Sequence, residues 1–156
     1  MDIELTGEQR MLAESVKAFV EEELLPLEVE AERAGQVSAE DGQRIKHKAL
    51  EMGLYAANLP ESVGGGGLDY TSLAIVEREL GKVSHALHGF AWRPTELLMA
   101  CNDEQKDRYL LPCVSGDKVE CFAITEPGAG SDIMSMATRA QRDGDDWIIN
   151  GAKHFV

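Results

Sequence analysis

The spacing of apolar residues changes once along the 156 residues, and that change limits the fold more than any other feature. Up to about residue 117 the apolar side chains recur every three or four positions, and from Lys118 they alternate. The first spacing covers one face of a helix and the second covers one face of a strand. The chain therefore reads as a helical domain over 1–117 followed by the first strands of a β domain over 118–156.

Within the first part, Thr6 and Gln9 have the form of a capping box. Leu12, Val16, Phe19, Val20 and Leu24 then follow at helical spacing, and Pro26 is expected to end or bend that helix. A second helix is expected from Ser38, with Ile45, Ala49, Leu50 and Met52 inward and a stop at Gly53. The four glycines 64–67 exclude a helix interior and predict a loop or a close backbone approach. A third helix follows Asp69 through Leu73, Val76 and Leu80, and another is expected near Pro94. Asn102 reads as the cap of a short helix carrying Tyr109, Leu110 and Leu111, closed by Pro112 and Gly116.

In the second part, residues 118–125 read as a strand that runs straight into a glycine-rich loop, CFAITEPGAGSD. Further strands are expected at 136–142 and 147–150, joined by a tight turn at 143–145. Asn150-Gly151 reads as a hairpin signal leading to a third strand, AKHFV, because both residues accept positive φ.

Charge narrows the possible partners. Fifteen basic residues against 28 acidic ones give a net charge of −13. That balance argues against nucleic-acid binding through a basic surface and against docking on anionic lipid. Residues 1–36 alone hold ten carboxylates and three basic groups, which reads as a solvated helix face. No apolar run approaches the length of a membrane span, and no basic leader is evident. Cys101, Cys113 and Cys121 form no CxxC pair, so reduced thiols in a cytoplasmic protein are expected, without a disulfide or zinc framework.

The loop TEPGAGSD carries the main chemical expectation. Gly128 and Gly130 allow successive N–H groups to face an anion, and Ser131 adds a donor. Thr125 offers a donor and an acceptor to a planar ring. On these residues alone, a nucleotide grip and an unliganded glycine turn both remain open. His85 and His88 share a helical face but have no third ligand. Phe90 and Trp92 beside Arg93 read as core packing, with a substrate wall as the alternative. Asp132 reads as a turn cap, Glu126 as a structural acceptor, and Cys121 as apolar filler in the strand.

Four blocks in order give the chain a wider resemblance: GLYAANLPESVGGGGLDYTSLAIVERELG, NDEQKDRYLLPCVSGDKVECFAITEP, CFAITEPGAGSD and DGDDWIINGAKHFV. Together they resemble the acyl-CoA dehydrogenase family across essentially the whole chain. The resemblance implies a mainly α fold here, an N-terminal helical bundle followed by the first strands of a β-barrel-like domain. It implies FAD as cofactor, with Phe122 and Ile124 lining the flavin and Thr125 bonding the ring. Gly130 and Ser131 would approach the pyrophosphate, Ser131 also touching substrate, and Phe155 and Val156 would pack near the isoalloxazine. Phe155 stands where the family usually has Trp.

The implied reaction is α,β-dehydrogenation of an acyl-CoA thioester, with electrons passing on to an electron-transfer flavoprotein. The family's catalytic base lies in a C-terminal helical domain that matches nothing here, so no catalytic residue is assigned and these residues alone are expected to be inactive. A homo-oligomer is implied for the full-length protein. Two other readings stay open: a lobe that acts as an interaction module completed by a partner chain, and an oxidase or monooxygenase of the same fold.

Overall fold

The computed structural model describes residues 4–91 and 94–156. They fall into two compact units that divide between Val119 and Glu120.

Helical spacing becomes helix over most of the first unit. The Thr6 hydroxyl accepts from Gln9 N, and the Gln9 side chain accepts from Thr6 N, each at 3.1 Å. This reciprocal cap starts α1, Gly7–Phe19. Pro26 does not end the helical run. A π turn at Val20–Leu24 and a 3-10 turn at Leu25–Leu27 take up the missing proline donor, and helix α2 continues as Glu28–Ala34. Ser38 caps α3, Ala39–Glu51, and Asp69 caps α4, Tyr70–Leu80, through a 2.7 Å bond from Ser72 N.

A short helix α5, His85–His88, follows. The helix expected at Pro94 is instead a single 3-10 stretch, Glu96–Ala100, and Trp92 and Arg93 lie outside the described residues. Asn102 and Gln105 form a second capping box at α6, Asp103–Gln105, which runs through a π turn into α7, Leu111–Val114. Pro112 sits in the first turn of α7 rather than closing a helix, and Lys118 Nζ donates at 2.7 Å to Arg108 O, the carbonyl four residues before it. Of Tyr109, Leu110 and Leu111, Leu110 is buried, and Tyr109 and Leu111 are exposed.

The core of this unit is apolar and continuous. Val16, Phe19, Val20 and Leu24 meet Ile45, Ala49, Leu59, Val76, Leu80, Leu87 and Leu110. Each large side chain fully withdrawn from water contributes about 1.5–3 kcal/mol before chain entropy is counted. The four glycines make the close approach expected of them. A Cβ on Gly65 would lie 2.2 Å from Leu59 O. Gly66 N bonds Ala56 O at 3.1 Å, Gly67 N bonds Leu59 O at 2.8 Å, and Leu68 N bonds Ala57 O at 2.9 Å.

The second unit is a hairpin with a loop folded against it. Strand β1, Arg139–Asp143, pairs antiparallel with β2, Asp146–Asn150, in the register Arg139↔Asn150 and Asp143↔Asp146. Gly144, at φ +61°, makes the two-residue turn possible. Three expectations fail here. Residues 118–125 form no strand, because alternation alone supplies no neighbour to bond. Residues 151–156 form no third strand either. Gly151 is not a turn residue: it has no positive φ, and a Cβ there would lie 2.1 Å from Thr138 Oγ1.

Candidate functional site

Pro127 and Gly128 are the corners of a β-turn closed from both sides. Glu126 N donates to Ala129 O at 2.9 Å, and Ala129 N donates to Glu126 O at 3.1 Å. Neither Gly128 nor Gly130 has a positive φ, so neither glycine is there for a left-handed backbone. A Cβ at either would meet nothing within 4 Å. Their lack of a side chain leaves open space beside the main chain, where a ligand could approach closely.

The side chain of Glu126 is buried beneath this turn. Its carboxylate accepts from Ala137 N at 2.6 Å, from Thr138 N at 3.1 Å and from Lys153 Nζ at 2.8 Å. The Lys153 ammonium first, then the donors of Thr138 and Ala137, hold its carboxyl at about 2. A group so tied is ionised and already saturated with donors, which suits structure and not proton abstraction. The expected acceptor role for Glu126 is the observed one.

Lys153 Nζ also donates to Ile124 O at 3.0 Å, and His154 N donates to Thr125 O at 2.8 Å. These two bonds bring the end of the chain against the start of the loop. Of the expected flavin-facing residues, Ile124 and Thr125 accept these bonds, and Phe155 and Val156 follow the bonded His154 in the chain. Ile124 and Thr125 are half-buried, while Phe155 is 95% and Val156 69% exposed. Phe155 has a left-handed backbone, φ +55°, unusual for an aromatic residue. Phe122, two positions before Ile124, is exposed. Gly130 and Ser131 are exposed and lie past the Pro127–Gly128 turn. Asp132 precedes a 3-10 turn, Ile133–Ser135, but its side chain caps no backbone N–H and accepts instead from the Ser135 hydroxyl.

The residue missed from the sequence is Lys153. A buried Glu126 needs a cation, and beyond residue 118 only Arg139, Arg142 and Lys153 are available. The sequence alone does not choose among them. Cys121 is exposed and does not fill a core. His85 and His88 are 6.0 Å apart between ring centroids, and the described residues hold no cluster of three or more metal ligands. No helix among the described residues is long and apolar enough to cross a membrane.

The residues present can receive a flat ring with a phosphate tail. Half-buried Thr125 bonds the backbone of His154, the residue before exposed Phe155, and an open glycine turn with a serine hydroxyl follows. Comparison with known proteins points the same way. Residues 6–117 match the family model "Acyl-CoA dehydrogenase, N-terminal domain", and residues 121–156 match "Acyl-CoA dehydrogenase, middle domain". The mitochondrial short-chain specific acyl-CoA dehydrogenase of Bos taurus is 34% identical over 99% of this chain and 38% of its own length. A structure of a glutaryl-coenzyme A dehydrogenase–glutaryl-CoA complex aligns with TM-score 0.77 and 30% identity, over 98% of this chain and 40% of that one. The acyl-CoA dehydrogenase of Bacillus anthracis, complexed with FAD, aligns with TM-score 0.70 and 28% identity, over 96% of this chain and 26% of that one. The chain thus spans about two-fifths of the length of the curated relatives it matches.

Proposed function

Because the chain belongs to the acyl-CoA dehydrogenase family, we propose that it forms the flavin-facing part of an FAD-dependent oxidoreductase acting on acyl-CoA thioesters. The observation that carries this reading is the hydrogen bond from His154 N to Thr125 O. It ties the residue before Phe155 to Thr125, although some thirty positions separate the two stretches.

In this reading Thr125 bonds the ring, Phe122, Ile124, Phe155 and Val156 supply apolar walls, and Gly130 and Ser131 meet the pyrophosphate. Ser131 also touches the thioester. Bound FAD supplies a two-electron acceptor for the hydride that leaves the β carbon. The α proton goes to a carboxylate outside these residues, since Glu126 is buried and already paired with Lys153. Reduced flavin is reoxidised by an electron-transfer flavoprotein, and the full-length protein is a homo-oligomer. Three free cysteines suit a reducing compartment, the cytoplasm.

One observation favours a second reading. Trp147, Ile148 and Ile149 of β2 are all exposed, from 49% to 70%. An interaction lobe whose hairpin is completed by another chain would cover them.

Titration with FAD, followed by flavin fluorescence, separates the readings. Saturable binding that weakens in Thr125→Val and Ser131→Ala is expected, with no turnover of an acyl-CoA panel by the 156 residues alone. Absence of binding, or equal binding by both variants, would remove the flavin reading and leave the interaction lobe.

A further inference from the structure

We propose that Lys153 is a positioning residue for the flavin site, acting through the Ile124–Thr125 peptide and the Glu126 carboxylate. The inference rests on the flavin reading above and adds to it a residue to which that reading gives no role.

The geometry is specific. One ammonium donates to Ile124 O at 3.0 Å and to Glu126 Oε1 at 2.8 Å, so it spans the backbone on both sides of Thr125. The Glu126 carboxylate then reaches Ala137 N at 2.6 Å and Thr138 N at 3.1 Å, just before β1 begins at Arg139. Three segments therefore meet at one buried charge pair: the start of the loop, the entry to the hairpin and the stretch that follows it. Lys153 has 26% of its side chain exposed and Glu126 5%.

Charge-assisted hydrogen bonds in a shielded place hold geometry better than neutral ones. A cation on Ile124 O also polarises the peptide whose N–H belongs to Thr125, making that N–H a stronger donor. His154 N, the next residue along, fixes Thr125 O at 2.8 Å. Lys153 is not itself assigned to the cofactor, and it reaches the site only through the Ile124 carbonyl and the Glu126 carboxylate. It sets the shape and polarity of the one residue expected to bond the ring.

The test compares the full chain with Lys153→Met, Lys153→Arg and Glu126→Gln. Two quantities are read: FAD affinity, and amide exchange at Thr125, Ala137 and Thr138. Lys153→Met is expected to weaken FAD by about tenfold or more and to speed exchange at all three amides, with helical circular dichroism unchanged. Lys153→Arg is expected to recover part of both, since a guanidinium can bridge the same two acceptors. Wild-type affinity in Lys153→Met overturns the proposal. If the unaltered chain binds no FAD, the flavin reading fails separately. The flavin role of Lys153 then falls with it, whereas FAD binding with unchanged exchange in Lys153→Met overturns the positioning role by itself.

Discussion

Lys46, in the middle of α3, donates a 2.7 Å hydrogen bond from its ammonium to the carbonyl of Gly116, seventy positions further along the chain. Gly116 follows α7 with φ +76°, a backbone that glycine adopts without strain. Its carbonyl lies one residue past the C-cap Ser115, outside the helical ladder, and the lysine supplies its partner. Leu50 Cδ1 and Lys46 Cδ both lie 3.3 Å from where a Cβ would stand on Gly116.

Lys46→Met should therefore lower the stability of the helical unit by about 1–2 kcal/mol, because it removes the donor and keeps the aliphatic stem. The urea midpoint reads this directly. A midpoint equal to wild type would show that water serves the carbonyl equally well.

Acid should release the loop in a defined window. Glu126 is held at about 2, far below the usual glutamate value near 4.5. Its contribution to stability is complete above the unfolded value and declines as pH falls from there toward the folded one. Protection of the Ala137 and Thr138 amides should fade between about pH 4.5 and pH 2. In Glu126→Gln these amides should exchange with no such dependence. Hydrogen exchange followed by NMR separates the two.

The helical unit should carry a second, milder pH response. Burial first, and the neighbouring His85 second, hold His88 below its ordinary value of 6.5. Glu77 Oε2, 3.7 Å from His88 Nε2, pulls the other way but does not outweigh burial. The unfolded chain thus takes up a proton before the folded one, and stability is lost as pH falls through about 6.5. The drop in urea midpoint between pH 7.5 and 5.5 should be smaller in His88→Gln. Equal drops would show that other groups set the response.

Glycines in the two units should behave oppositely on substitution. Gly65→Ala places a methyl 2.2 Å from Leu59 O, which is backbone and cannot swing aside, so a loss of about 1–3 kcal/mol is expected. Gly128→Ala and Gly130→Ala meet open space and should stay within about 0.5 kcal/mol of wild type. The same two changes should nonetheless weaken FAD if the cofactor lies against that turn. Thermal melts and a flavin titration on the three variants test both halves.

What could be read from the sequence was local. Thr6 with Gln9, Ser38, Asp69 and Asn102 each cap a helix with a residue three positions away, so the signal and its partner sit in one short window. The turn in TEPGAGSD was legible for the same reason. The strand at 118–125 was not, since alternation states a preference and the partner strand must come from elsewhere. Asn150-Gly151 misled because glycine there answers to Thr138, thirteen positions back, and not to a turn. Lys153 escaped notice because its partners lie 27 and 29 positions away, beyond any periodicity.

The glycine run at 64–67 also fixes how this protein can vary in length. Surface loops usually accept insertions, because their backbone answers mainly to water. Here Gly65, Gly66, Gly67 and Leu68 each donate to a carbonyl of the 56–60 segment, so adding or removing one residue would put all four bonds out of step. The stretch from Ala56 to Leu68 is a loop in shape and a measured strip in its tolerance. Related chains are expected to differ there by exchange of side chains and to keep the same number of residues.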